Sequence, residues 1–172
     1  IMEILQVNGS NKDFYALCEK LQNFQYSLLP VLKENGYTLT DDLQEVTGFI
    51  LYIDNKPVGS IGLKKVNDEV CEIVRVFVSS EFRGKGFMRH LMTLLHKSLR
   101  VSGYSAALLL PATRSLANYY ASMGYKVCAY RKSVMLAGMY HSGYIYEKCA
   151  LLDDATYTFI VDSLSCRKNN II

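Results

Sequence analysis

Residues Cys71–Arg100, CEIVRVFVSSEFRGKGFMRHLMTLLHKSLR, decide the fold of this 172-residue chain. Ile73, Val74, Val76, Phe77 and Val78 make a short β-branched and aromatic run, the composition of a buried strand. Met88, Leu91, Met92, Leu95 and Leu99 follow at helical spacing and lay one apolar stripe along a helix facing a core. Between them lies Arg83-Gly84-Lys85-Gly86, a glycine-bearing turn that feeds a strand directly into a helix N-terminus.

That junction has a chemical meaning. The first turn of a helix leaves N–H groups without intrahelical partners, and the aligned peptide dipoles make that end partly positive, so phosphate oxygens bind there. Gly84 and Gly86 lack a Cβ, which lets a diphosphate come close to the main chain, and Arg83, Lys85 and Arg89 put cationic donors around the same point. The competing reading is an ordinary strand-to-helix turn with solvated basic residues, since short glycine patterns are common. Neither GxxxxGK[ST] nor GxGxxG occurs, so the P-loop and dinucleotide motifs are excluded.

The run Val76-Phe77-Val78-Ser79-Ser80-Glu81-Phe82-Arg83-Gly84-Lys85-Gly86-Phe87-Met88 resembles the acetyl-CoA motif of the GNAT N-acetyltransferases, Q/R-x-x-G-x-G/A after an apolar strand. Arg83 stands at the Q/R and Gly86 at the first glycine, while Met88 departs from the family's Gly or Ala. Downstream, Asn118-Tyr119-Tyr120-Ala121-Ser122-Met123-Gly124-Tyr125 is similar to the family's L/F-Y-x-x-x-G-F. The resemblance spans roughly residues 47 to 151. It implies an α/β (α+β) fold in which a mixed, mostly antiparallel sheet of about seven strands is flanked by helices, with a parallel, splayed pair of strands at the coenzyme site. It also implies acetyl-CoA as cosubstrate, held by Val76, Phe77, Val78, Arg83, Gly84, Lys85, Gly86, Phe87, Met88 and Arg89. Thr113 occupies the place where many relatives carry a coenzyme-contacting Asn, although helix capping alone explains a threonine there.

Composition agrees with one domain over residues 1–172: half of the residues are apolar and a fifth charged. A net charge of +3 is too mild for a broad nucleic-acid face and suits a small polyanion. Cys18, Cys71, Cys128, Cys149 and Cys166 are scattered, with no CxxC and no histidine at metal-ligand spacing, so no metal is expected and the thiols read as reduced and mostly buried. No apolar run reaches membrane-spanning length and no signal-type segment is visible, so the expectation is a cytoplasmic protein without a membrane partner.

In chain order, Met2 to Val7 reads as a strand, punctuated by Asn8-Gly9-Ser10-Asn11. Phe14, Leu17, Cys18, Leu21 and Phe24 then form a helical stripe, and Ser27 to Asn35 a second short helix stopped by Gly36. The segment from Tyr37 to Glu45 carries no strong period; the resemblance implies that the region between these helices forms part of the acceptor pocket. Phe49 to Ile53 and Val58 to Val66 are strands around the turn Asp54-Asn55-Lys56-Pro57, and Asn67-Asp68 turns the meander into the central strand. Ala106 to Leu110 is a strand stopped by Pro111, and a helix runs from Thr113 to Met123, closed by Gly124. The crossover helix between the central strand and Ala106 to Leu110 implies that these two are parallel. Tyr125 to Tyr130 and Gly143 to Leu151 read as two further strands, Arg131 to Ser142 as a long loop over one face, and residues 153–165 as a terminal amphipathic helix with Phe159, Ile160 and Leu164 inward.

The implied chemistry is acetyl transfer from coenzyme A to an amine. An amine of lysine type has a pKa of about 10.4, so a base or a desolvating pocket must first remove a proton. Glu72 is the candidate base: it lies eleven residues before Arg83, where family members carry a basic glutamate, and simple alternation sets it on the face of Val74, Val76 and Val78 unless a bulge intervenes. A glutamate in water or paired with Arg75 is the alternative. The backbone N–H near Val78 is the expected donor to the carbonyl oxygen, with Val76 and Phe77 pairing the pantetheine amides. Tyr120 is the expected acid for the departing thiolate and Tyr119 the fallback; core packing is the competing role for Tyr120. Two functions stay open: an N-acetyltransferase acting on a small amine, a peptide N-terminus or a lysine, or a non-catalytic acyl-CoA-binding or protein-interaction module on the same fold. A homodimer is compatible with either.

Overall fold

The structure is a computed structural model that describes residues 1–28, 30–104, 106–109, 114–123, 125–132 and 155–161. Strand β1 (Met2–Asn8) leads to helix α1 (Lys12–Leu28), which Asn11 caps by accepting bonds from the N–H groups of Asp13 (2.8 Å) and Phe14 (3.1 Å). A second helix, α2 (Val31–Glu34), is shorter than the sequence suggested because α1 runs on to Leu28. Pro30, which lacks an N–H to continue the first helix, stands between the two. Gly36, at φ +73°, ends α2 in the left-handed region.

Strands β2 (Thr47–Ile53), β3 (Lys56–Lys65) and β4 (Val70–Val78) form an antiparallel meander. Asp54 and Asn55 both take positive φ in the tight β2–β3 turn, a conformation short polar side chains tolerate. Helix α3 (Phe87–Val101) crosses to β5 (Ala106–Leu109), which pairs parallel with β4. Helix α4 (Arg114–Ala121) and strands β6 (Lys126–Lys132) and β7 (Ala155–Val161) complete the described elements. The sheet has seven strands in the order β1-β2-β3-β4-β5-β7-β6, antiparallel except at β4–β5.

β7 corrects the expectation of a terminal helix over residues 153–165: Ala155 to Val161 is a strand between β5 and β6. ATYTFIV is almost wholly β-branched or aromatic, which restricts χ1 in a helix and fits a pleated surface. The expected strand at residues 143–151, the loop beyond Lys132 and the ends of the expected helix fall outside the described residues.

Helices cover both faces. The α3 stripe buries Leu91, Met92, Leu95 and Leu99 against Leu51, Ile61, Ile73 and Leu109. On the other face α1 buries Phe14, Leu17 and Cys18 against Ile50 and Phe77. The approach is close: a Cβ added at Gly48 would sit 2.6 Å from the Phe14 ring, so only glycine fits there. Phe24, expected inward, is 41% exposed and carries the Arg83 guanidinium 4.9 Å over its ring.

Candidate active site

Strand β4 is paired with β3 along most of its length, but β5 joins it only from Val70 to Ile73. Among the described residues β5 reaches Leu109 and none pairs with Val74 to Val78, which leaves a gap there on the edge of β4 away from β3.

The gap coincides with a bulge. The β3–β4 register shifts between Ser60 and Gly62, and Arg75 takes φ +54°, a left-handed conformation unusual for a long side chain. Three contacts hold it. The Ser60 hydroxyl, fully buried, donates to the Arg75 carbonyl at 2.9 Å. The Arg75 Nε donates to the Leu39 carbonyl at 3.0 Å, and its guanidinium pairs with Asp42. Asp42 also binds Lys64 Nζ at 3.0 Å, and Lys64 reaches Glu45 at 3.3 Å.

The bulge resets the alternation of side chains. Ile73 packs with the α3 cluster and Val74 with the α1 cluster, yet Val76 returns to the α3 side and Phe77 to the α1 side. Glu72 therefore shares a face with Val74 and Phe77, which corrects the simple alternation that grouped it with Val76 and Val78. It is 7% exposed and stands directly opposite Lys64 in the β3–β4 register, on the flank where Asp42, Glu45 and Arg75 converge. Arg75 turns to Asp42 and Leu39.

Main-chain directions follow from one bond: the Ser79 N–H donates to the Val58 carbonyl at 2.8 Å, so Ser79 faces β3. By antiparallel alternation the N–H and C=O groups of Val78 and Val76 face away from β3 toward the gap, while those of Phe77 face Ser60. The Phe77 amide is thus engaged in the sheet, and among the described residues the Val76 main chain and the Val78 N–H are the groups turned away from it. Arg83 Nε donates to the Val78 carbonyl at 2.7 Å, and its guanidinium also stands 5.5 Å over the Phe77 ring.

A 3-10 turn over Ser80–Phe82 leads to Arg83, after which Gly84 (φ +75°) and Gly86 (φ +83°) shape the loop and Gly86 starts α3. A Cβ added at either glycine would meet nothing within 4 Å, so the main chain is open on that side. No side chain caps α3 and its first turn holds no acidic residue, so the positive helix end is uncompensated. The cations expected around this point divide. Lys85 lies at the loop with Nζ 5.6 Å over the Phe82 ring; Arg83 turns back to β4; Arg89 bridges to α4, 5.7 Å over the Tyr119 ring and 3.4 Å from the Ser122 hydroxyl. Phe87 and Met88 pack against the α3 core cluster, so the Met88 side chain has a place other than the loop's outer face.

Tyr120, 4% exposed, stacks edge-on with Tyr119 at 5.7 Å and Tyr125 at 5.9 Å. Burial, with a small addition from Tyr119, pushes its phenol far above the ordinary tyrosine range. Tyr119 is half-buried beside Arg89, its phenol raised by burial against the pull of that cation. Tyr125 meets His96 Nε2 at 2.6 Å, and burial lowers the His96 pKa to about 4. Thr113 lies outside the described residues.

Along this stretch lie a glycine loop at an uncapped helix N-terminus, two strand N–H groups turned away from β3, and the buried Glu72 carboxylate, with the Tyr119–Tyr120–Tyr125 cluster on the α3 side of the sheet. The sequence allowed for a bulge without placing it at Arg75, and it did not single out Ser60 or Asp42. Among the described residues no group of His, Cys, Asp and Glu could hold a metal, and no helix is long and apolar enough to cross a membrane. Cys18 and Cys71 are buried free thiols, as expected; burial pushes them up to about 12 and about 11 respectively.

The sequence model described as "Acetyltransferase (GNAT) family" matches residues 14–125. No curated protein sequence matches the chain. Among solved structures, a GNAT family acetyltransferase from Elizabethkingia anophelis with acetyl-CoA bound is similar at TM-score 0.67 and 14% identity, over 94% of this chain and 97% of that one. Aminoglycoside 6'-acetyltransferase type Ii is similar at TM-score 0.64 and 14% identity, over 93% and 96%. The ribosomal-protein-S18-alanine N-acetyltransferase from Escherichia coli is similar at TM-score 0.65 and 12% identity, over 100% and 99%. At these identities the likeness concerns the fold.

Proposed function

The chain belongs to the acetyltransferase (GNAT) family, and from that premise we propose that it moves the acetyl group of acetyl-CoA to a primary amine by direct attack, with Glu72 as general base and Tyr120 as general acid. The observation that carries the reading is the Arg75 bulge of β4, which turns the Val76 main chain away from β3, next to an uncapped helix N-terminus behind a glycine loop. Acetyl-CoA supplies an activated acyl group as its thioester. The residues present suit it: Gly84 to Met88 offer main-chain N–H groups to the diphosphate, with Lys85 beside them, and Arg89 stands close by on α3.

Val76 and Val78 offer strand-like pairing to the pantetheine arm. Val78 is nearer the phosphate loop in sequence, so the far end of the arm runs toward Val76 and the bulge. We therefore assign the N–H that polarises the carbonyl to Val76 and leave Val78 to the arm, moving the expected donor two residues toward the bulge. Glu72, buried near that point, accepts the proton of the incoming ammonium. Tyr120 holds its proton firmly, which keeps the donor loaded; it gives that proton up only to a thiolate made equally basic by desolvation. Tyr119, half-buried beside Arg89, is the second candidate. Thr113 remains a proposed coenzyme contact on the strength of its motif position alone.

The test is thiol release from acetyl-CoA across a panel of small amines, lysine peptides and free peptide N-termini. Turnover with any of them supports the transferase; tight acetyl-CoA binding with no release across the panel supports a binding module instead.

A further inference from the structure

We propose that Arg75 is a positioning residue for this reaction: its side chain ties the bulge of β4 to the segment after α2 and so aims the Val76 amide into the gap. The inference rests on the acetyltransferase reading, but its geometry does not. Arg75 is the one non-glycine residue outside the β2–β3 turn with positive φ among the described residues. Backbone strain of this kind persists only where surroundings over-determine it. Here they do so from two sides. Ser60 fixes the Arg75 carbonyl from β3, and the side chain is anchored at its Nε by the Leu39 carbonyl and at its guanidinium by Asp42. Asp42 is braced in turn by Lys64, which comes from the β3 residue facing Glu72.

The consequence is directional. Twisting Arg75 into the left-handed region turns the following peptide, so that Val76 presents its N–H to the gap instead of to β3. With the side chain cut, the residue is free to relax to extended geometry, and the strand would regain regular alternation. The tether also joins the Leu39–Asp42 segment to the carbonyl donor, so an acceptor that shifts that segment shifts the donor with it.

Three variants separate tether from strain. Arg75→Ala removes the anchors and keeps the strain, Arg75→Gly removes both, and Asp42→Asn weakens one anchor while leaving Arg75 in place. The expected result is a fall in kcat of about 10-fold to 100-fold for Arg75→Ala and Arg75→Gly, milder than outright removal of a carbonyl donor, and a smaller fall for Asp42→Asn. Affinity for free coenzyme A stays within about 2-fold of the parent, since the phosphate loop is untouched, while any preference for acetyl-CoA over coenzyme A shrinks. In the ligand-free protein the Val76 amide resonance moves in all three variants.

A folded Arg75→Ala protein with an unmoved Val76 resonance and an unchanged acetyl-CoA to coenzyme A affinity ratio overturns the proposal. So does an equal loss of affinity for both ligands, which signals general loosening of the sheet. Should Arg75→Ala not fold, Asp42→Asn carries the same readouts. If the parent turns over no amine, the transferase reading falls, while the resonance still decides whether the tether sets the bulge.

Discussion

Glu72 owes its place to a register and a bulge together. The β3–β4 pairing sets it opposite Lys64, and the bulge three residues on separates its face from that of Val76. A buried carboxylate keeps its charge only where it is paired, and the ionised form is the one that accepts a proton at a cleft. Glu72→Gln keeps the shape and loses the base: kcat should fall by about 10²-fold or more with acetyl-CoA affinity unchanged, read by thiol release and calorimetry on the same preparation. For the phenols the test is comparative. Tyr120→Phe preserves the stack with Tyr119 and Tyr125 and removes only the hydroxyl, so a role in packing alone predicts an unchanged rate. The acid role predicts a drop of about 10²-fold for Tyr120→Phe and little change for Tyr119→Phe. The reverse pattern would pass the role to Tyr119.

At the scale of elements, α3 does two jobs. Its N-terminus follows the glycine loop, the proposed diphosphate site, and its body joins the sheet to the aromatic cluster behind it. Gly86→Val places a β-branched residue at φ +83°, where the side chain meets no neighbour, so the penalty is backbone strain of about 1–2 kcal/mol. The loop would re-form to escape it, and coenzyme affinity should drop further than stability does. The far end of α3 carries His96 against Tyr125. Burial depresses the His96 pKa from 6.5 to about 4, so the folded state prefers it neutral while the unfolded chain protonates it below 6.5. The stability this lends is complete above pH 6.5 and is lost as the pH falls toward 4, worth at most about 3 kcal/mol. Thermal melts across that window should steepen their pH dependence in the parent protein and flatten it in His96→Gln.

Over the whole molecule, the legible parts were those whose signal is local. The α3 stripe, the glycine turn, the meander and the parallel crossover each follow from a period or a turn composition, and the structure holds them all. What was not legible depends on partners. The Arg75 bulge arises from how β3 meets β4, with Ser60 supplying a hydroxyl from fifteen residues away, and nothing in VRV alone announces it. The exposed Phe24 continues the apolar period of α1, yet it finds an arginine from the glycine loop instead of the core. Residues 155–161 satisfy a helical apolar pattern and a strand composition at once, and sheet pairing with β5 and β6 decides between them. The proposed site divides in the same way: motif spacing pointed to the loop, Glu72 and Tyr120 as candidates, whereas the proposed network around the Val76 amide came from the fold.

The central claim is that the start of α3 grips the diphosphate of acetyl-CoA. Calorimetric titration of acetyl-CoA into the parent protein and into Gly86→Val tests it most directly. The account predicts saturable one-site binding to the parent and a loss of about 10-fold or more in the variant. No binding to the parent, or equal affinity in both proteins, would contradict it.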